Sequence, residues 1–324
     1  MKLCYNNIVP ITVQRGGNME YKNIVYFASK WHINERRIRI LCAEGRIHGA
    51  KKIGKTWLIP EDSAKPLDKR YKQTNDLFFD HIDFKGINQK KKSIDSQRPF
   101  SQNINRQLRD KLIIEWTYNS NAIEGNTLTL SETKVVLENG ITIKGKPLKD
   151  HLETINHKEA IEYIEELVKE NARLSEYDIK SIHHLILKEI DSSNAGKYRN
   201  ENVFISGAKH VPPIYMNVPY EMQKLIVKYQ DWKDLHSVVR ACYLHGEFVK
   251  IHPFIDGNGR TARLLLNFEL IQSGYPPVVI KTENRADYYD ALDKAHTSND
   301  YTDFIRMIVD LVNESEDSYL YLIG

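Results

Sequence analysis

The sequence predicts a mainly α-helical protein: a large helical body carrying one β-hairpin, preceded by a small basic module of two helices and a hairpin. Three observations lead there. From about residue 104 onward, apolar residues recur at helical spacing. Residues 21–70 carry 12 Lys and Arg against 5 Asp and Glu, a local net of +7, which leaves −4 for the rest of a chain whose total is +3. Between the two parts, residues 71–103 are polar and include Lys90, Lys91 and Lys92, so they read as linker with one apolar docking point at Leu77, Phe78 and Phe79.

Taken in order, residues 1–18 match nothing that follows, and Met19 is expected to be the natural start. Residues 25–31 suit a first helix, and residues 32–34 a tight turn with Asn34 as N-cap. A second helix over 35–44 stops at Gly45, with Ile38, Leu41 and Cys42 facing inward and Arg36 and Arg39 facing out. Gly54 and Lys55 form the expected turn of a hairpin whose second strand, 56–59, ends at Pro60. The string ERRIRILCAEGRIHGAKKIGKTWLIP resembles the winged helix-turn-helix of excisionase-like and MerR-like DNA-binding modules. That resemblance implies a domain over 19–70 with DNA as partner, Arg36, Arg37, Arg39, Lys51, Lys52 and Lys55 neutralising phosphates. The plainer alternative is a solvated basic face on a protein-interaction module.

In the body, helices are expected over 160–167, 176–190, 235–251, 258–272 and 301–312, with a hairpin around 203–211. Tyr301, Phe304, Ile305, Ile308, Val309 and Val312 form one core face of the last helix. Cys4, Cys42 and Cys242 are too few and scattered for a disulfide framework or a cysteine zinc site, and they suit a reducing cytoplasm. No apolar run approaches the roughly 18 residues a membrane span needs, so no membrane partner is expected. His183 and His184 are adjacent and face different sides of a helix, while His236 and His245 read as core or capping residues.

The chemistry concentrates in HPFIDGNGRTAR, residues 252–263. Pro253 breaks the helix that ends near Ile251, and a new helix begins at about Asn258. Gly257, Asn258 and Gly259 lie at its start, where unsatisfied N–H groups and the positive dipole end bind phosphate. Arg260 and Arg263, three apart, share a face toward the same anion. Asp256 is a natural Mg²⁺ ligand beside phosphates, and His252 can accept a proton at neutral pH. Base, metal ligand, anion cradle and cations are the parts of a phosphoryl or nucleotidyl transfer.

The same string resembles the signature of Fic-domain proteins, His-x-Phe-x-Asp/Glu-Gly-Asn-Gly-Arg-x-x-Arg, with a likeness extending over about residues 104–315. The resemblance implies a Fic-type helical domain over 104–324 with a β-hairpin flap. It also implies a protein adenylyltransferase, moving AMP from ATP to a Tyr, Thr or Ser hydroxyl of a target protein or of the chain itself. His252 would then be the general base, Asp256 would hold Mg²⁺, and Arg260 and Arg263 would contact the outer phosphates. The amides of Gly257, Asn258 and Gly259 would form the anion hole, with Phe254 packing the loop into the core. GKYR (196–199) followed by NENVFISGAKHVPP resembles the flap, whose edge would pair with an extended target segment. Gly207, Ala208, Lys209 and His210 would be its tip. NRADYYDAL resembles the adenine-pocket segment, with Tyr288 as the ring contact and His296 standing where the family often has Asn. The family also makes homodimers a candidate state.

Upstream, Ser120, Glu124, Gly125 and Asn126 match the family's inhibitory motif, Ser/Thr-x-x-x-Glu-Gly/Asn, on a helix expected near 104–126. A carboxylate delivered to Arg263 would occupy the cation meant for the γ-phosphate. The Doc branch, which passes on a phosphate, places Lys where this chain has Gly259. Two alternatives stay open: a DNA-binding regulator whose body senses nucleotide, and a Fic-fold transferase that moves another phosphate-containing group or removes AMP.

Overall fold

The computed structural model describes residues 20–31, 33–47, 49–54, 56–61, 63, 65–66, 82–205 and 207–324. It separates into two compact units, Met1–Asp80 and His81–Gly324. Residues 1–18 and Met19, the docking point at Leu77, Phe78 and Phe79, and Lys55 lie outside the described residues.

In the first unit, strand β1 (Tyr21–Asn23) leads into helix α1 (Ile24–Trp31), followed by α2 (Glu35–Ala43), β2 (Lys51–Ile53) and β3 (Thr56–Pro60). Asn34 caps α2, its side chain accepting the Arg37 N–H at 2.8 Å. The three strands form an antiparallel sheet in the order β1-β3-β2. β1 went unread in the sequence because three residues are too few to show alternation. Phe27, Trp31, Ile38, Leu41, Cys42 and Ile59 bury the apolar sides of helices and sheet against each other.

The second unit is helical. Its elements are α3 (Phe84–Ser96), α4 (Gln102–Ile123), α5 (Leu130–Asn139), α6 (Leu148–Lys169), α7 (Glu176–Leu187), α8 (Val218–Asp231), α9 (Ser237–Ile251), α10 (Asn258–Gln272), α11 (Arg285–Ser298) and α12 (Thr302–Ile323). α10 is buried on every side, which places it at the centre. α9 packs along it, with α6 and α7 also against it. Asn267 of α10 donates to the Val278 carbonyl and accepts from its N–H, both at 2.8 Å, which fixes the chain leaving the helix.

Two expectations are corrected. Residues 84–96, read as linker, form α3, which packs on α12 through buried Ile87 and Ile94 and is capped by Asp83 accepting from Gly86 N–H. The three consecutive lysines within the segment masked its narrow apolar stripe. The hairpin expected at 203–211 forms no strand ladder among the described residues. Phe204 is 87% exposed and Val211 61%, so pairing them would bury little apolar surface, and an unsupported two-stranded hairpin is marginal in water.

Candidate active site

The loop between α9 and α10 is shaped by contacts from outside it. His252 ends α9 in the left-handed region, φ 51° and ψ 60°. Arg199, itself buried, holds that backbone: its N–H donates to Pro253 O at 2.9 Å and its Nε to His252 O at 2.9 Å. The rest of its guanidinium donates to the carbonyls of Glu201 and Pro213 at the base of the expected flap. Phe254 is fully buried and stacks on His183, ring centroids 3.6 Å apart and planes within 2°. His183 Nδ1 accepts from Gly196 N–H at 2.9 Å, so its proton sits on Nε2 and is donated to Asp256 O at 2.9 Å. Burial pushes His183 down to about 4, which keeps this neutral tautomer. Asn258 closes the turn, accepting from Phe254 N–H at 3.0 Å and donating to Phe254 O at 2.8 Å. Gly257 has φ 76°, and a Cβ there would lie 3.2 Å from Ile186 and 3.3 Å from His183.

His252 Nδ1 is buried with no partner. Burial is the main cause that pushes its pKa down to about 4, with Arg199 adding to the effect, so the ring is neutral and able to take a proton. Asp256 keeps a side chain 55% exposed, with Oδ1 held by Gly257 N–H at 2.6 Å. That bond takes up the Gly257 amide, which had been expected in the anion hole, and leaves the first turn of α10 beginning at Asn258 to supply it. No group of three or more His, Cys, Asp or Glu converges among the described residues. A single accessible carboxylate fits Mg²⁺, which keeps several waters and takes its other ligands from substrate phosphates.

The two arginines do not share one task. Arg260 is 2% exposed, with Nη1 3.0 Å from Glu153 Oε1 and Nη2 3.6 Å from Asp256 Oδ1. It was expected at the outer phosphates, but its side chain points back under the loop toward the start of α10, as helical side chains do. Arg263, 3% exposed, donates from Nε to Ser120 Oγ at 3.0 Å and from Nη2 to Ser120 O at 2.6 Å and Glu124 Oε1 at 2.8 Å. Buried His157 and His245 flank it, both held well below the usual histidine range by burial and then by Arg263. The Glu124 carboxylate lies at the N-terminus of α10, so close that a Cβ on Gly259 would be 2.2 Å from its Oε1.

The end of α4 that carries Glu124 is tied down from three sides. Arg285 Nε donates to Ile123 O at 2.9 Å, and Asn119 Oδ1 accepts from Thr282 N–H at 3.0 Å. After Gly125 (φ 99°), Asn126 Nδ2 donates to Asp150 O at 3.0 Å and Glu153 Oε2 at 2.9 Å. Of the flap-tip residues, Gly207 has φ 80° and Ala208 N–H closes a turn onto Ile205 O. Lys209 N–H donates to Asp293 Oδ1 at 2.9 Å, and His210 Nε2 lies 2.9 Å from Lys250 O, two residues from His252.

Tyr288 is not an open ring contact. It is 1% exposed and its hydroxyl bonds His245 Nε2 at 2.9 Å. The accessible ring is the next one, Tyr289, 37% exposed with the Arg285 guanidinium 4.9 Å from its centroid. Two adjacent tyrosines on a helix point about 100° apart, and the sequence alone does not say which faces inward. His296 Nε2 is engaged with Gly246 O at 2.9 Å. His183, Arg199 and Glu153 had no assigned role in the sequence; only the GKYR string hinted at Arg199.

The profile described as the Fic/DOC family matches residues 173–270. The protein named Protein adenylyltransferase Fic of Nematostella vectensis is 40% identical over 210 residues, covering 63% of this chain and 48% of that protein. The Aedes aegypti protein of the same name is 34% identical over 252 residues, covering 75% of this chain and 49% of its own length. The chain thus spans about half the length of these curated relatives. Among solved structures, a Fic domain-containing signaling protein from Bacteroides thetaiotaomicron is 30% identical, with TM-score 0.68, covering 74% of this chain and 96% of that one. Fic-1 of C. elegans is 30% identical, with TM-score 0.65, covering 78% and 74%.

Proposed function

We propose, on the premise that the chain belongs to the Fic family, that it transfers AMP from ATP onto a Tyr, Thr or Ser hydroxyl of a target protein or its own, under a brake applied by Glu124. The observation that carries this reading is the internal carboxylate seated at the N-terminus of α10 against Arg263. A buried cradle that already holds one anion has the donors and the charge to hold a triphosphate once that anion leaves. His252, neutral, takes the proton of the incoming hydroxyl. The hydroxyl oxygen bonds to the α-phosphorus, the bond from that phosphorus to the β-bridging oxygen breaks, and pyrophosphate leaves. Asp256 is the residue that would hold Mg²⁺, which supplies charge neutralisation on the phosphates when bound. Arg199 fixes the His252 backbone, and the segment carrying the exposed Phe204 and Val211 is where an extended target segment would dock.

Incubation with ATP labelled at either the α- or the γ-phosphate tests the reaction. Protein is expected to retain α-label and no γ-label; retained γ-label, or none of either, would sink the proposal.

A second reading concerns the first unit. α2 and β2 expose Arg36, Arg39, Lys51 and Lys52 in a strongly basic stretch, with Arg39 paired to Glu35 at 2.7 Å and Lys51 and Lys52 lying over the Tyr21 and Trp57 rings. We propose that this face contacts nucleic acid through its phosphates. The full chain is expected to retard duplex DNA at low salt, and the double change Lys51→Glu and Lys52→Glu to abolish the shift. A shift that survives both added salt and that change would overturn it.

A further inference from the structure

We propose that Glu153 of α6 is a positioning residue for the anion cradle, aiming Arg260 and through it the Asp256 carboxylate, and that Asn126 makes this aim depend on the brake loop. The inference rests on the reading above, that the cradle takes Mg²⁺ and ATP.

Glu153 is a buried carboxylate with its two oxygens committed in opposite directions. Oε2 accepts from Asn126 Nδ2 at 2.9 Å, and Oε1 lies 3.0 Å from Arg260 Nη1. Lys149 Nζ approaches Oε1 at 3.6 Å from the surface. On its other side, Arg260 Nη2 lies 3.6 Å from Asp256 Oδ1, the same oxygen that Gly257 N–H holds at 2.6 Å. The chain of contacts therefore runs from the segment after Glu124, through Glu153 and Arg260, to the carboxylate that would hold the metal. A guanidinium this deeply buried follows its charged partner, because leaving it uncompensated is far costlier than rotating with it. Asp150 braces the same junction, accepting the Thr127 N–H at 2.8 Å and its hydroxyl at 2.6 Å. Lifting the end of α4 to withdraw Glu124 would pull Asn126 off Glu153. Release would then have opposite effects on the two arginines, freeing Arg263 from Glu124 while loosening the hold on Arg260 through Glu153.

The test uses the full chain carrying Glu124→Gly, so that any effect of Asn126 through the Glu124 carboxylate is already gone. Calorimetric binding of a non-hydrolysable ATP analogue is measured over a range of Mg²⁺ concentrations. Glu153→Gln is expected to raise the Mg²⁺ concentration for half-saturation by about tenfold, the usual scale for partners behind a metal ligand. Asn126→Ala, which leaves the Glu153–Arg260 pair in place, is expected to shift it in the same direction by less. Arg260→Gln with Glu153→Gln is expected to shift it no further than Arg260→Gln alone, the mark of one residue acting through another. Unchanged half-saturation in both Glu153→Gln and Asn126→Ala, or additive shifts in the double variant, overturns the inference while leaving the reaction intact. A Glu124→Gly parent that binds no analogue at any Mg²⁺ concentration overturns both.

Discussion

Replacing Glu124 with glycine is expected to raise incorporation of α-labelled AMP by about ten- to a hundredfold over the unaltered chain. The magnitude follows from what the carboxylate does at Arg263. A hydrogen bond to a charged group contributes about 1.5–3 kcal/mol net, and ATP must displace that contact before its phosphates can use the same cation. Arg263 is 3% exposed, with Nε and Nη2 held by Ser120 as well as Glu124. The Oε1 atom of Glu124 also fills the space directly above Gly259, so its removal restores both the cation and the room. Glu124→Gln, which keeps the size and loses the charge, is expected to fall between the two. Equal labelling by all three proteins would remove the brake from the account.

In that released background, His252→Ala is expected to lower labelling by about 10²–10⁴-fold, the range supplied by a positioned general base. Binding of the ATP analogue should change little, because the imidazole meets the incoming hydroxyl and not the cradle. The pH dependence carries the same prediction in a second form. Burial pushes His252 down to about 4, and only the neutral ring can accept a proton. Activity should therefore be insensitive to this group at pH 6–8 and fall only as pH drops through about 4. A limb near the ordinary histidine value of about 6.5 in kcat/KM would show that the ring is solvated in the working state.

Local features were legible in the sequence, and cross-chain ones were not. Pro253 and the Gly257–Asn258 start located the beginning of α10 at Asn258, because helix breaks and caps are short-range signals. Glu124 and Arg263 were paired by motif, and the structure puts them 2.8 Å apart. Arg260 was misplaced because helical spacing says which residues share a face, not whether that face looks out or in. Glu153 left no trace, since Arg260 lies more than a hundred residues away and α6 reads as an ordinary charged helix. In fact α6 buries Asp150, Glu153, Asn156 and His157, a polar stripe whose partners lie largely on other elements. The expected flap shows the reverse case: the string was recognised, but strand pairing needs a surface to pack on, and Phe204 and Val211 face solvent instead.

The missing side chain at Gly259 has a consequence for how this chain can change over time. A single methyl group there would lie 2.2 Å from Glu124 Oε1, so a side chain at this position requires the carboxylate end of Glu124 to shift. A side chain at Gly259 and the Glu124 carboxylate thus compete for one space, although the two positions are 135 residues apart in the sequence.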